Sequence, residues 1–298
     1  MSHSWIFQPN KFWLGWDETG LSTFEGQPLR SLVREVVQNS LDHKAEGENI
    51  VKVRFELATV NRSAIPDIDT LEKVLLRCEE ASEGESENTR AEVHEARKYS
   101  ERMNFPVLLC TDFGTTGMVG PFERGRPFFT YMNSKGSSPG DSNRAGSHGH
   151  GKDAPLVNSA LRTIFASSTY LDASGAIAHL AQGKCVLMSH FQDEDQYENI
   201  GRWGNSNMTP VKELQAQFDW INPCPDQLGT TISILGFTGK GEDWISEMTG
   251  HALINYFPAF IKGCLQLEFK EGANKVTLSH ENFTQYLTSQ SVKDALEK

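Results

Sequence analysis

The stretch Glu35-Val-Val-Gln-Asn39-Ser-Leu-Asp42 sets polar side chains among apolar ones. On an α-helix, Glu35 and Asn39 stack one turn apart on one face, and Asp42 lies on the same side. A carboxylate placed there can take a proton from an attacking water. An asparagine beside it offers a neutral oxygen to a hard cation such as Mg²⁺, which usually keeps several waters. A solvated outer helix face would show the same pattern, so these residues need company to mean anything.

A second constellation is Asp112-Phe-Gly114-Thr-Thr-Gly117-Met118, directly after the apolar run Val107-Leu-Leu-Cys110. An ionised aspartate only accepts hydrogen bonds, which suits an exocyclic amine. Glycines let the backbone come close to a flat ring, and Met118 can pack on it. A strand-ending turn capped by aspartate would look similar.

The third is Gly146-Ser147-His148-Gly149-His150-Gly151-Lys152, ahead of an expected helix. Bare backbone at a helix N-terminus presents N–H donors to phosphates, and Lys152 or the earlier Lys135 can add a charge at the terminal one. The stretch also fits G-x-x-x-x-G-K. However, Asp153 stands where a Ser or Thr would hold Mg²⁺, and a polar, glycine-rich segment precedes it in place of an apolar strand, so a P-loop is rejected. His148 and His150 have no further metal ligands nearby in sequence.

The elements that must position these residues follow from periodicity. Pro28 opens a helix with Leu29, Leu32, Val33, Val36, Val37, Ser40 and Leu41 at helical spacing, ending near Gly47. Residues 50–58 alternate as a strand, 67–77 read as a helix, and 106–111 as a short buried strand. The acidic stretch 79–101 reads as a solvated insertion or exposed helix. Residues 113–147 are rich in glycine and serine, as binding loops and lids are. Strands are expected at 162–169, 176–181, 184–190 and 230–237, a helix at 242–257, a hairpin at 265–278, and a terminal helix from 291. Strands that follow one another directly favour an α+β fold with a mixed, mostly antiparallel sheet and helices on one face. The expected division is an aromatic arm (1–27, with Trp5, Phe7, Phe12, Trp13, Trp16 and Phe24), a main domain (28–270) and a C-terminal hairpin with the start of a following segment (271–298).

Composition excludes several classes. Lys+Arg number 28 against 39 Asp+Glu, a net charge of -11, which argues against broad nucleic-acid contact. No apolar run reaches membrane-spanning length and the N-terminus lacks a signal-peptide pattern, which points to the cytoplasm. Five cysteines without C-x-x-C spacing point to reduced, packed thiols.

The combination is more specific than its parts. In order, it runs acid-x-x-x-Asn-x-x-Asp on a helix, Asp-x-Gly after a strand, a lid, a triple-glycine loop, and Gly229-Thr230-Thr231 opening a strand. Over roughly residues 28–240 this closely resembles the Bergerat-fold ATPases, the family of gyrase B, the large heat-shock chaperone, histidine kinases, MutL and MORC proteins. The resemblance implies a two-layer sandwich with a mobile ATP lid, and ATP and Mg²⁺ as ligands. It implies that Glu35 is the general base, Asn39 the Mg²⁺ ligand, and Asp42 a support of the pocket. Asp112 would bind the adenine amine, with Gly114, Gly117 and Met118 lining the base. The family pattern is Asp-x-Gly-x-Gly, whereas two residues separate Gly114 and Gly117 here, so either glycine can be the one at the base. The 146–152 loop would wrap the phosphates, and Thr230 or Thr231 would reach the adenine side. The resemblance further implies nucleotide-driven lid closure, a homodimer formed on ATP binding, and coupling to a protein partner. Relatives remodel proteins, DNA or chromatin, or serve bacterial defence. An ATP-sensing interaction module with little turnover fits the same residues.

Overall fold

The computed structural model describes residues 3–17, 19–134, 151–239 and 243–297. In chain order the elements are β1 (Ser4–Ile6), α1 (Thr19–Ser22), α2 (Pro28–Asp42), β2 (Val51–Asn61), α3 (Ile68–Ala81), α4 (Glu87–Ser100), β3 (Asn104–Phe113) and α5 (Pro127–Asn133). There follow α6 (Ala154–Val157), β4 (Ser159–Leu171), β5 (Ile177–Val186), β6 (His190–Gln192), β7 (Asp195–Tyr197), β8 (Ile200–Gly204) and β9 (Gly229–Phe237). The chain closes with α7 (Trp244–Ile261), β10 (Leu265–Glu271), β11 (Asn274–Leu278), α8 (Phe283–Leu287) and α9 (Gln290–Leu296).

Among the described residues, nine strands form one sheet in the order β1-β8-β5-β4-β9-β3-β2-β10-β11. Its pairings are antiparallel except that of β2 with β10, and β6 and β7 make a separate hairpin. This is the expected α+β class with a mostly antiparallel sheet. Among the described residues no helix is long and apolar enough to cross a membrane. The five cysteines are unpaired, and Cys78, Cys110 and Cys185 are buried.

Alternation along the strands gives the sheet two apolar faces. Leu108, Cys110, Ile164, Ala166, Ile232 and Ile234 join one core with α2 and α7, while Val107, Leu109, Leu161, Phe165 and Leu235 join another with α3 and α4. Helices therefore pack on both faces of the sheet. The reason lies in the acidic stretch 79–101. Its α4 helix hides a stripe of Thr89, Val93, Ala96 and Ser100 and packs along α3 and β4. The charges that mark it as solvated occupy only its outer side.

The arm also belongs to the sheet. β1 pairs with β8, and Trp5, Phe7 and Trp16 are buried. The Trp5 indole N–H donates to the Pro66 carbonyl at 3.2 Å, and the Arg162 guanidinium lies 4.1 Å from the centre of a Trp16 ring. At the other end, the expected division after residue 270 cuts through β10, which pairs with both β2 and β11. One strand, β5, runs unbroken from Ile177 to Val186, where two had been expected at 176–181 and 184–190.

The helix that carries the first constellation is built as its sequence suggests. Pro28 sits at the first turn, where its fixed φ suits the helix and its missing N–H leaves no bond unmade. Leu29, Leu32, Val33 and Val37 then fall on one buried stripe. α2 stops at Asp42, earlier than Gly47, because the following residues turn to another partner. The Ala45 N–H donates to the Gly114 carbonyl at 3.0 Å and Lys44 bridges Thr115.

Candidate functional site

Two contacts attach the remote constellations to α2. At its middle, the Glu35 side chain is buried to 8% exposure and lies directly on the backbone of Gly151. A Cβ added at Gly151 would fall 1.7 Å from Glu35 Oε2 and 2.4 Å from its carboxyl carbon. Only glycine leaves room there for the carboxylate. The other oxygen, Oε1, accepts from the Arg34 guanidinium at 2.8 Å.

Nearer the C-terminal end of α2, the Ser40 hydroxyl lies 3.1 Å from Asp112 Oδ2 and 2.9 Å from the Val36 carbonyl. Asp112 is the penultimate residue of β3, opposite Val53. Its Oδ1 accepts from the Thr115 hydroxyl at 2.6 Å and from the Thr230 N–H at 2.8 Å. Oδ1 is thus saturated, while Oδ2 keeps capacity for a ligand's donor. Burial pushes the Asp112 carboxyl above the usual carboxylate range, against the pull of Thr115, the Thr230 N–H, Ser40 and the charge of His43.

The glycines of the second constellation do different work. Gly114 (φ 72°) turns the chain beneath the Ile50 carbonyl, 2.6 Å from where a Cβ would stand. Gly117 (φ 66°) is wedged against the Thr169 carbonyl, the Ser168 hydroxyl and the Gly229 carbonyl. Its N–H donates to the same Thr115 hydroxyl that holds Asp112. Gly117 is therefore the glycine tied to the carboxylate. Met118 is partly buried against the core, and its N–H donates to Ser168 Oγ at 2.8 Å. Beyond it opens a cavity of about 760 Å³ lined by Pro121, Phe122, Tyr170, Leu180 and much of 205–215. Its lining includes neither Glu35 nor Asp112.

Other expected residues fall into place unevenly. Asn39 and Asp42 are exposed on α2, one and two turns beyond Glu35. The Asn39 main-chain carbonyl accepts from the His43 ring at 2.8 Å, leaving the carboxamide open to solvent. Thr230 reaches Asp112 through its backbone, not its hydroxyl, and the Thr231 hydroxyl instead meets that of Thr111 at 3.1 Å. Lys152 points its ammonium at the Thr130 carbonyl, 3.4 Å away. The helix expected after Gly151 is a single 3-10 turn, Gly151–Asp153, followed by four residues of α6. A helix that short supplies little of the dipole expected of it. Lys135, Gly146, Ser147, His148, Gly149 and His150 lie outside the described residues.

Several members of the site carry no family signature. Ser40 could have been noticed as a hydroxyl on an otherwise apolar stripe. Thr115 and Arg34 give no such sign. Tyr131 on α5 sits close enough to Glu35 and Asp153 to feel both charges, although burial is the larger reason its phenol is held well above its ordinary value. Among the described residues no group of three or more His, Cys, Asp or Glu gathers to hold a metal ion.

No protein-family model matches the chain, and no curated protein matches it. Among solved structures, it is similar to the 43K ATPase domain of Thermus thermophilus gyrase B in complex with an aminocoumarin, with 10% identity over 91% of this chain and 55% of that one and a TM-score of 0.39. It is also similar to the ATP-binding domain of Francisella tularensis topoisomerase IV in complex with a small-molecule inhibitor, with 13% identity over 96% of this chain and 58% of that one and a TM-score of 0.39. The chain spans little more than half the length of these two. At such identities no function transfers, and what the chain does has to be read from its own side chains.

Proposed function

We propose that this chain binds ATP across α2 and hydrolyses it, with Asp112 reading the adenine amine and Glu35 orienting the attacking water. The observation that carries the reading is the double attachment of α2. A strand-end carboxylate with a spare acceptor meets it at Ser40, and a glycine backbone meets it at Glu35. Ser40 lies five residues beyond Glu35, about 7.5 Å along the axis. One nucleotide laid along the helix can therefore place its base at one end and its terminal phosphate at the other.

The chain's own residues divide the work. Asp112 Oδ2 accepts from the amine, and Gly117 and Met118 border the base. Gly151 brings bare backbone to the phosphate end. Glu35 takes a proton from water in line with the terminal phosphate. A well-placed base of this kind contributes about 10²–10⁴-fold. Asn39 fits a Mg²⁺ site, being an exposed carboxamide one turn from Glu35. When bound, the ion would neutralise charge on the phosphates, with water and phosphate oxygens completing its shell. The same reading includes closure of the 113–147 segment over the nucleotide and pairing of two copies.

One observation favours a slower variant of this reading, an ATP-responsive interaction module. Arg34 already pairs with the Glu35 carboxylate at 2.8 Å, so that oxygen must leave a partner before it can meet a water. The test is Glu35→Gln. It is expected to bind a non-hydrolysable ATP analogue like the parent and to lose turnover by about 10²-fold or more, while light scattering with the analogue reads pairing. A Gln variant that hydrolyses ATP at the parental rate refutes Glu35 as the base. A parent that binds the analogue but hydrolyses ATP no faster than a protein-free blank establishes the module.

A further inference from the structure

Behind the turn that carries Gly151 lies a buried ion pair. Lys184 Nζ stands 3.7 Å from Asp153 Oδ1, with side chains only 5% and 11% exposed. Lys184 lies two residues before the end of β5, on the same face as Leu180 and Val186, which belong to the core under α2. Taking two such charges out of water opposes folding about as much as their attraction favours it. The pair is therefore a poor source of stability, and its use has to be sought in what it holds. Asp153 is the last residue of the 3-10 turn that begins at Gly151. That turn packs on α2, where a Cβ on Gly151 would stand 1.7 Å from Glu35 Oε2. The cross-strand neighbour of Lys184 is Arg202, which donates to the Asn133 side chain at the end of α5. Cations on two adjacent strands thus grip Asn133 and Asp153, on either side of residues 135–150.

We propose that the Lys184–Asp153 pair is a positioning strut that fixes the Gly151 turn against the Glu35 carboxylate. This rests on the reading of Glu35 as the residue that acts on the nucleotide. Removing the strut leaves Glu35, the Asp112 end and the sheet in place, but frees the turn to drift from the phosphate end. A displacement of about 1 Å in such a constellation costs on the order of 10²-fold in rate.

The experiment compares the full chain with Lys184→Met, Lys184→Arg and the double variant Lys184→Met/Asp153→Leu. The double variant removes both charges, so it keeps the test alive if the single Met variant leaves Asp153 stranded and fails to fold. Steady-state ATP hydrolysis is measured with hydrogen exchange on the nucleotide-free protein. The expected result is a kcat lowered about 10- to 100-fold with KM for ATP within about threefold. Exchange over 151–157 should rise while that over 28–42 holds, and Lys184→Arg should recover part of the rate. A double variant with parental kcat and parental exchange over 151–157 overturns the strut. If the parent itself turns over no ATP, the catalytic reading of Glu35 has failed, and the exchange result alone then decides whether the pair holds the turn.

Discussion

Asp112→Asn separates what the carboxylate does for the fold from what it does for a ligand. In the parent, Oδ1 takes the Thr115 hydroxyl and the Thr230 N–H, and Oδ2 faces the Ser40 hydroxyl at 3.1 Å. An asparagine keeps the first two bonds through its carbonyl oxygen. Its amide can donate to Ser40 Oγ, whose own proton then stays on the Val36 carbonyl, 2.9 Å away. The internal network survives, and the polarity at the open position reverses from acceptor to donor. An adenine amine loses a bond to a charged acceptor, about 1.5–3 kcal/mol, or roughly 10- to 150-fold in affinity. A guanine analogue, which presents an oxygen there, should lose less. Stability should move the other way. Burial raises the Asp112 carboxyl above its unfolded value. Its contribution to stability is then full below the ordinary carboxylate range and lost as pH rises through the raised value. Above the raised value the parent carries a buried charge that the variant lacks, so Tm of Asp112→Asn should equal or exceed the parent's at pH 7, with any gap closing as pH falls. Calorimetric titration with ATP and GTP analogues and melting across that pH range are the assays. Unchanged affinity and base preference would refute Oδ2 as the amine acceptor. A variant that melts lower than the parent at pH 7 would refute the account of the buried charge.

Two further substitutions test the packing that presents the site. Gly151→Ala places a methyl where the Glu35 carboxylate now lies, 1.7 Å from Oε2. Either the side chain or the turn must move, so turnover should fall towards that of Glu35→Gln; parental kcat in the alanine variant would show that this contact is not used. Trp16→Ala removes a ring that is 2% exposed, lies under Arg162 and donates from Nε1 to Glu92 at 3.0 Å. Denaturant unfolding should show a loss of about 3–5 kcal/mol, and a loss under about 1 kcal/mol would mean that the arm is only loosely docked.

The parts of the fold legible in sequence are those whose burial repeats with a period. Leu29, Leu32, Val33 and Val37 announce the inner face of α2, and the continuous run Val107–Cys110 announces a strand covered on both sides. Asp112 could be found because it ends that run, and Glu35 with Asn39 because a helix stacks residues four apart. The side of α4 that packs was hidden because a narrow stripe of Thr89, Val93, Ala96 and Ser100 is diluted by its charged neighbours. β1 is three residues long and draws its stability from β8, far along the chain, so no local pattern could reveal it. The Lys184–Asp153 pair has the same character. A lysine at an inward strand position is an anomaly in the sequence, but its partner is set by tertiary packing alone.

The mechanical role of α2 follows from its stiffness. The helix is fixed beneath by apolar side chains, packs along α7, and is held there by the Tyr256 hydroxyl donating to the Arg34 carbonyl. Ser40 and Glu35 cannot move apart, so the Asp112 contact and the Gly151 contact keep a fixed spacing. On the proposed reading, a nucleotide whose base seats badly at Asp112 carries its terminal phosphate off the Glu35–Gly151 contact by the same displacement. Selectivity for adenine should then appear in kcat as well as in KM. Specificity of that kind needs no moving part between the two ends, only a helix that does not bend.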